Sequence, residues 1–216
     1  MTSFSRLTYY ILILSASCFM LSCKQDIQLE GYYEGSLRFS EHEIMFNRLW
    51  LNTDSSFFYL SQPDEDDDWH AFGGNWSIQD GKLFLDGSAL FKLWMELKEE
   101  QLEVLDYAGN MVIGDKHLTL SKAVISPAID MDFIATGAIY PNEELPMFRL
   151  CGSEKKYPLY QYSGRLSDSS ELIPNKGSDP EYFVMVKLKA DDLSTIQTDR
   201  FSLKLIEVLS EANPCE

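Results

Sequence analysis

From Gly31 to Lys122 apolar and polar residues alternate in short runs that turn residues interrupt at spacings of roughly 8–15 positions, which is the period of strands and not of helices. In Gly31-Tyr32-Tyr33-Glu34-Gly35-Ser36-Leu37-Arg38-Phe39, residues Tyr33, Leu37 and Phe39 share one face, with Gly35 between them. Leu49 and Leu51 follow, then Phe57-Phe58-Tyr59-Leu60. The clearest hairpin is Trp76-Ser77-Ile78, a Gln79-Asp80-Gly81 turn and Leu83-Phe84-Leu85, with Trp76 and Ile78 facing Leu83 and Leu85. Asp-Gly supplies the positive φ that a tight hairpin needs. Leu93-Trp94-Met95-Glu96-Leu97, Leu102-Glu103-Val104-Leu105 and Leu118-Thr119-Leu120 continue the alternation, for about eight strands in all. An antiparallel array of that size removes its unpaired edges by closing into a barrel.

The alternation pauses at Ser126-Pro127-Ala128-Ile129-Asp130, a predicted linker, since Pro blocks a continuing strand. Beyond it lie Phe133 to Tyr140, Met147 to Cys151, Lys156 to Leu159, Tyr182 to Leu188 and Phe201 to Leu209, a set that fits a small Greek-key barrel. Residues Asp191 to Thr198 are expected as an extended excursion outside the core. The predicted domains are residues 27–124 and 130–216, a division that a chain of 216 residues allows.

Residues 1–22 have the form of a secretory signal peptide: Arg6, an apolar run from Tyr9 to Leu14, a softer Ser15-Ala16-Ser17-Cys18 patch and Phe19-Met20-Leu21. The run is too short and too interrupted by Ser to span a bilayer comfortably. Met20-Leu21-Ser22-Cys23 has the order of a bacterial lipoprotein processing site, which makes Cys23 the expected lipid attachment point. Cys18 is the rival, but choosing it would leave Phe19-Met20-Leu21 in the mature protein. Two or more acyl chains hold a protein at a bilayer, whereas one is marginal. The expected partner is therefore a membrane, reached through the anchor.

Composition narrows the function. With 45% hydrophobic and 24% charged residues the chain is globular, and its formal charge of −16 repels phosphate backbones, so nucleic acid is excluded as a partner. The acidic run Gln62-Pro63-Asp64-Glu65-Asp66-Asp67-Asp68 is most simply a solvated hairpin end, because it lacks the spaced oxygen ligands and glycine of a calcium loop. Cys151 and Cys215 remain after processing, and two thiols in an exported protein suggest one disulfide, structural in the first instance and redox-sensing in the second. No cofactor is implied. A nucleophile elbow, a phosphate-cradling glycine loop and a zinc-protease helix motif are all absent from the sequence, so the reading is non-enzymatic.

With these features in order, both halves resemble the NlpE family of bacterial envelope lipoproteins, associated with copper resistance and envelope-stress signalling. In the first half the resemblance rests on Gly31 to Leu37, Gly74-Asn75-Trp76, Leu102 to Ile113 and Leu118-Thr119-Leu120-Ser121-Lys122. In the second it rests on Gly137-Ala138-Ile139-Tyr140, Phe148 to Leu159 and Cys215. It implies a lipocalin-like β-barrel followed by a smaller OB-like barrel, an all-β chain anchored on the outer membrane of a Gram-negative bacterium, and a Cys151–Cys215 disulfide. One departure matters. Where the family carries a proline and a Cys-x-x-Cys pair, this chain has Arg38-Phe39-Ser40-Glu41-His42-Glu43, so the soft thiolates that suit Cu(I) are missing. His42 and Met45 are the nearest substitute donors and make an incomplete metal site; His70, Met95, Met111 and His117 lie elsewhere.

Two functions follow. The first is a sensor or interaction lipoprotein in envelope stress or copper homeostasis, whose partner is an envelope signalling or surface protein. The second is a lipocalin-like carrier that holds a small apolar ligand or lipid among Tyr33, Phe39, Trp50, Phe58, Trp76, Phe84 and Trp94, although the same aromatics serve equally as a filled core. A surface lipoprotein without a soluble ligand is a third possibility.

Overall fold

The structure, a computed structural model, describes residues 28–38, 44–64, 66–89, 91–112, 119–124, 131–140, 145–161, 182–190, 196, 201–211 and 215. Cys23, Phe39, His42, His117 and the linker at 126–130 lie outside these residues.

The first eight strands are β1 (Gly31–Arg38), β2 (Ile44–Leu51), β3 (Ser56–Gln62), β4 (Trp69–Gln79), β5 (Lys82–Asp86), β6 (Lys92–Lys98), β7 (Gln101–Val104) and β8 (Thr119–Ala123). Each pairs antiparallel with its sequence neighbour, and β8 returns to pair with β1 at Tyr32 opposite Ala123, which closes the array into a barrel. The predicted hairpin register holds, with Trp76 opposite Leu85 and Ile78 opposite Leu83. Asp80 and Gly81 form its two-residue loop with φ of 52° and 79°, the left-handed pair that Asp-Gly tolerates.

Alternation then sorts the side chains. Tyr33, Leu49, Leu51, Phe57, Tyr59, Leu83, Leu85, Met95, Leu102 and Leu120 fill the barrel interior and pack on one another. A hydrogen-bonded pair sits among them: the Tyr59 hydroxyl donates to Asn47 Oδ1, and Asn47 Nδ2 donates to the Met45 carbonyl at 2.9 Å. Burial alone drives the Tyr59 phenol well above its ordinary value.

The remaining strands are β9 (Met131–Tyr140), β10 (Met147–Leu150), β11 (Lys156–Gln161), β12 (Tyr182–Ala190) and β13 (Leu203–Glu211). They close in the circuit β9–β10–β11–β13–β12–β9, with the β11–β13 pair parallel and the others antiparallel. That is the strand order of an OB barrel, so the chain is all-β with a lipocalin-like barrel followed by an OB-like one. Gly137 on β9 stands where a Cβ would meet the Arg149 carbonyl oxygen at 2.1 Å, so the β9–β10 crossing admits only glycine.

The barrels are joined by backbone as well as side chains. Trp69, His70 and Ala71 of β4 pair parallel with Phe133, Ile134 and Ala135 of β9. The outer face of β1–β4 carries Tyr32, Trp50, Phe58, Leu60 and Ala71, all buried in one core with Phe133, Phe148, Tyr157, Val186 and Phe201 of the second barrel. Phe58 meets Phe133, Tyr157 and Phe201 edge-on at ring-centroid distances of 5.8, 6.0 and 6.3 Å for Phe133, Phe201 and Tyr157 respectively. The wall of the first barrel therefore stoppers the apolar mouth of the second. One expectation is corrected at a single position: Ile196, within the segment read as an excursion outside the core, is fully buried in this shared core, where its apolar side chain leaves water.

Candidate functional site

The feature with most chemical consequence is the Cys151–Cys215 disulfide, whose Cα atoms lie 5.2 Å apart. Cys151 follows β10 in a tight turn: its amide donates to the Thr136 carbonyl at 3.0 Å, and the Ser153 amide donates to Leu150 at 3.1 Å. Gly152 takes φ of +78°, a conformation that glycine adopts without strain.

This turn is also where the second barrel touches the first. A Cβ on Gly152 would stand 1.8 Å from the Gly87 carbonyl oxygen, so the backbone between β5 and β6 lies directly against the turn. A Cβ on Gly73 of β4 would fall 2.8 Å from Leu150 Cδ1. Behind Cys151 a void of about 20 Å³, roughly one water in size, is shared by Gly73, Ser88 and Phe91 of the first barrel with Thr136 and Leu150 of the second.

Four residues after Cys151, Lys155 Nζ lies 3.7 Å from Asp54 Oδ2 in the β2–β3 turn. Asp54 is built for the role: its Oδ1 accepts from the Ser56 hydroxyl at 2.5 Å and the Ser56 amide at 2.9 Å. Partial burial pushes its carboxyl up, but the two Ser56 donors and the Lys155 charge outweigh that and hold it below the ordinary value of 3.8. The segment from Leu150 to Lys155 thus meets the first barrel at three places, and the disulfide ties that segment to Cys215, four positions beyond the end of β13.

The seven aromatic positions named as pocket candidates do not gather. Tyr33 lies in the interior of the first barrel with Trp76 packed against that core. Trp50 and Phe58 sit on the opposite face, in the core shared with the second barrel. Phe84 and Trp94 pair across β5 and β6, their rings 4.3 Å apart, on the face opposite Leu83 and Leu85. Phe39 falls outside the described residues. Tyr33 donates to the Leu29 carbonyl at 2.7 Å, and burial pushes its phenol up to about 12.

For the metal candidates, Met45 packs partly buried against the first core, while His42 lies outside the described residues. Among the described residues no group of three or more His, Cys, Asp or Glu side chains converges as a metal site. In the acidic loop, Asp68 accepts from Lys187 of β12 at 2.9 Å, so one carboxylate of that loop bridges the barrels as well.

Sequence reasoning found the two cysteines but missed Gly73, Gly87, Gly152, Asp54 and Lys155. The available signal was Cys151-Gly152, a thiol beside a residue able to turn sharply, and the Gly73-Gly74 doublet inside a strand, which marks close backbone approach.

No family model matches the chain, and no curated protein matches it. Among solved structures it is similar to the Cpx pathway activator NlpE from Escherichia coli, at 19% identity over 86% of this chain and 97% of that one, with a TM-score of 0.35. It is also similar to a lipoprotein candidate from Shewanella oneidensis, at 26% identity over 45% of this chain and 92% of that one, with a TM-score of 0.39.

Proposed function

We propose that the chain is a lipid-anchored, non-enzymatic protein of the Gram-negative cell envelope, held at the outer membrane through Cys23, that reports envelope stress to a membrane signalling protein by way of its disulfide. The observation that carries the reading is the position of Cys151: the oxidisable residue sits in the turn that touches the first barrel at Gly87 and borders the void lined by Gly73 and Phe91. Breaking the bond frees Cys215, beyond the end of β13, from that turn and loosens the joint, so redox state is converted into exposure of surface that a partner can read. Such a bond belongs to an oxidising compartment, consistent with export beyond the cytoplasm. Copper plays no part in the reading, since Arg38-Phe39-Ser40-Glu41-His42-Glu43 stands where the family's thiol pair would be.

The test is an envelope-stress reporter in the native host carrying Cys151→Ser, with Cys23→Ser as the anchor control. The disulfide variant should change basal or induced signal while remaining membrane-bound. An unchanged signal in both states overturns the sensing role, and release of unmodified protein from the membrane fraction is expected only for Cys23→Ser.

A further inference from the structure

We infer a binding site for a small zwitterion of the α-amino-acid type, with an apolar side chain, in the cleft on the outer face of β1–β3 beside Trp69. The cleft has a volume of about 480 Å³, within the range of small-molecule sites, and is bordered by Glu34, Ser36, Phe46, Arg48, Gln62 and Trp69.

Its charges are arranged unusually. Glu34 on β1 and Arg48 on β2 are direct register partners, a placement from which a Glu–Arg pair ordinarily bridges. Here they do not. The Arg48 guanidinium lies over the Trp69 ring at 4.8 Å, and its Nη1 reaches Met131 Sδ at 3.9 Å. In a chain of formal charge −16 this guanidinium has no carboxylate within ion-pair distance among the described residues. Glu34 is held by the Tyr32 hydroxyl, which donates to its Oε2 at 2.6 Å, and a carboxylate retains further acceptor capacity after that bond.

The cleft therefore presents a fixed anion on one strand and a fixed cation on the next, with space instead of a salt bridge between them. An anion alone would meet Arg48 but be repelled by Glu34, and a cation alone would meet the reverse. A ligand carrying both satisfies both: its ammonium donates to Glu34 and its carboxylate accepts from Arg48, whose planar fork suits two carboxylate oxygens. Phe46 and Trp69 supply the apolar surface for the side chain. Gln62 Nε2 is engaged with the Asp67 carbonyl at 2.8 Å, which keeps that wall in place.

The experiment is saturation-transfer NMR on the whole chain with L-phenylalanine, 3-phenylpropionate, which lacks the ammonium, and phenethylamine, which lacks the carboxylate. L-Phenylalanine should bind, and each truncated probe should bind about tenfold more weakly or worse. Glu34→Gln, at an exposed side chain, should lower affinity for L-phenylalanine by about tenfold and leave that for 3-phenylpropionate unchanged or improved. Arg48→Gln should do the converse, and Arg48→Lys should restore part of the loss without the fork; circular dichroism establishes that each variant is folded. No binding of L-phenylalanine overturns the site. So does 3-phenylpropionate or phenethylamine binding as tightly as the amino acid, or affinity that neither variant moves.

Discussion

Gly152 rests so closely on Gly87 that its own hydrogen is all the joint between the barrels admits, since a Cβ would stand 1.8 Å from the Gly87 oxygen and 2.0 Å from its carbonyl carbon. Gly152→Ala therefore carries two penalties, positive φ and collision with rigid backbone, and should destabilise the protein by about 2–4 kcal/mol. Gly81→Ala separates the two, because Gly81 has nearly the same φ, +79°, with nothing within 4 Å of its Cβ position. It should cost only about 1–2 kcal/mol. Equal losses in urea denaturation would show that the contact with Gly87 contributes nothing.

The disulfide joins residues 64 apart. Closing a loop of that size lowers the entropy of the unfolded chain by an amount worth about 4 kcal/mol in the chain-entropy model. Cys151→Ser and Cys215→Ser should each lower stability by about that much, and dithiothreitol should reproduce the loss in the unsubstituted protein but add nothing to either variant. A further loss with reductant in Cys215→Ser would mean that another bond, not this one, holds the fold.

Much of this architecture was legible in the chain. Period-two alternation placed Trp76 opposite Leu85, because half-buried antiparallel strands write their inward face directly into the sequence. The shared core was harder to see. In β3, Ser56 to Ser61 are buried without interruption, and Leu49-Trp50-Leu51 of β2 likewise. Such unbroken apolar runs signal burial on both faces, and reading them as the inner wall of a lone barrel put Phe58 and Trp50 on the side of Tyr33. The junction was only half legible: the Gly73-Gly74 doublet inside a strand marks close backbone approach, but which partner it approaches, and that Gly152 meets Gly87, depends on loops far apart in sequence. The cleft was silent, since nothing local to Arg48 indicates that it turns to Trp69 and leaves its register partner Glu34.

Asp54 links acid stability to the same joint. Its carboxyl is depressed in the folded state, so its stabilising contribution is fully present above the ordinary value of 3.8 and is lost as pH falls through the lower folded value. Asp54→Asn should flatten the fall in stability below about pH 4, while at neutral pH the exposure of the pair limits the cost to about 1 kcal/mol or less. Lys155→Met removes one of several contributors and should shift the acid limb less. Melting temperatures of the three proteins between pH 2 and 7 decide it, and identical acid limbs would exclude Asp54 from the effect.

Phe58 offers the sharpest test of whether the two barrels are one cooperative unit. Its side chain is fully buried and its ring lies 5.8 Å from Trp50 on the first barrel and 6.0 Å from Phe201 on the second. Phe58→Ala removes a stopper that neither barrel can replace by relaxing inward, so the cost should be near the large-to-small range of about 3–5 kcal/mol. Phe57, its neighbour, is equally buried but belongs to the interior of the first barrel, where it packs 5.7 Å from Phe91. The pair differ in which core they fill and not in chemistry. Native-state hydrogen exchange at Leu60 on β3 and Val186 on β12 should show Phe58→Ala lowering protection at both sites together, and Phe57→Ala lowering it at Leu60 more than at Val186. If Val186 kept its protection when Phe58 was truncated, the stopper would be mere contact, and the second barrel would hold its mouth closed without the first.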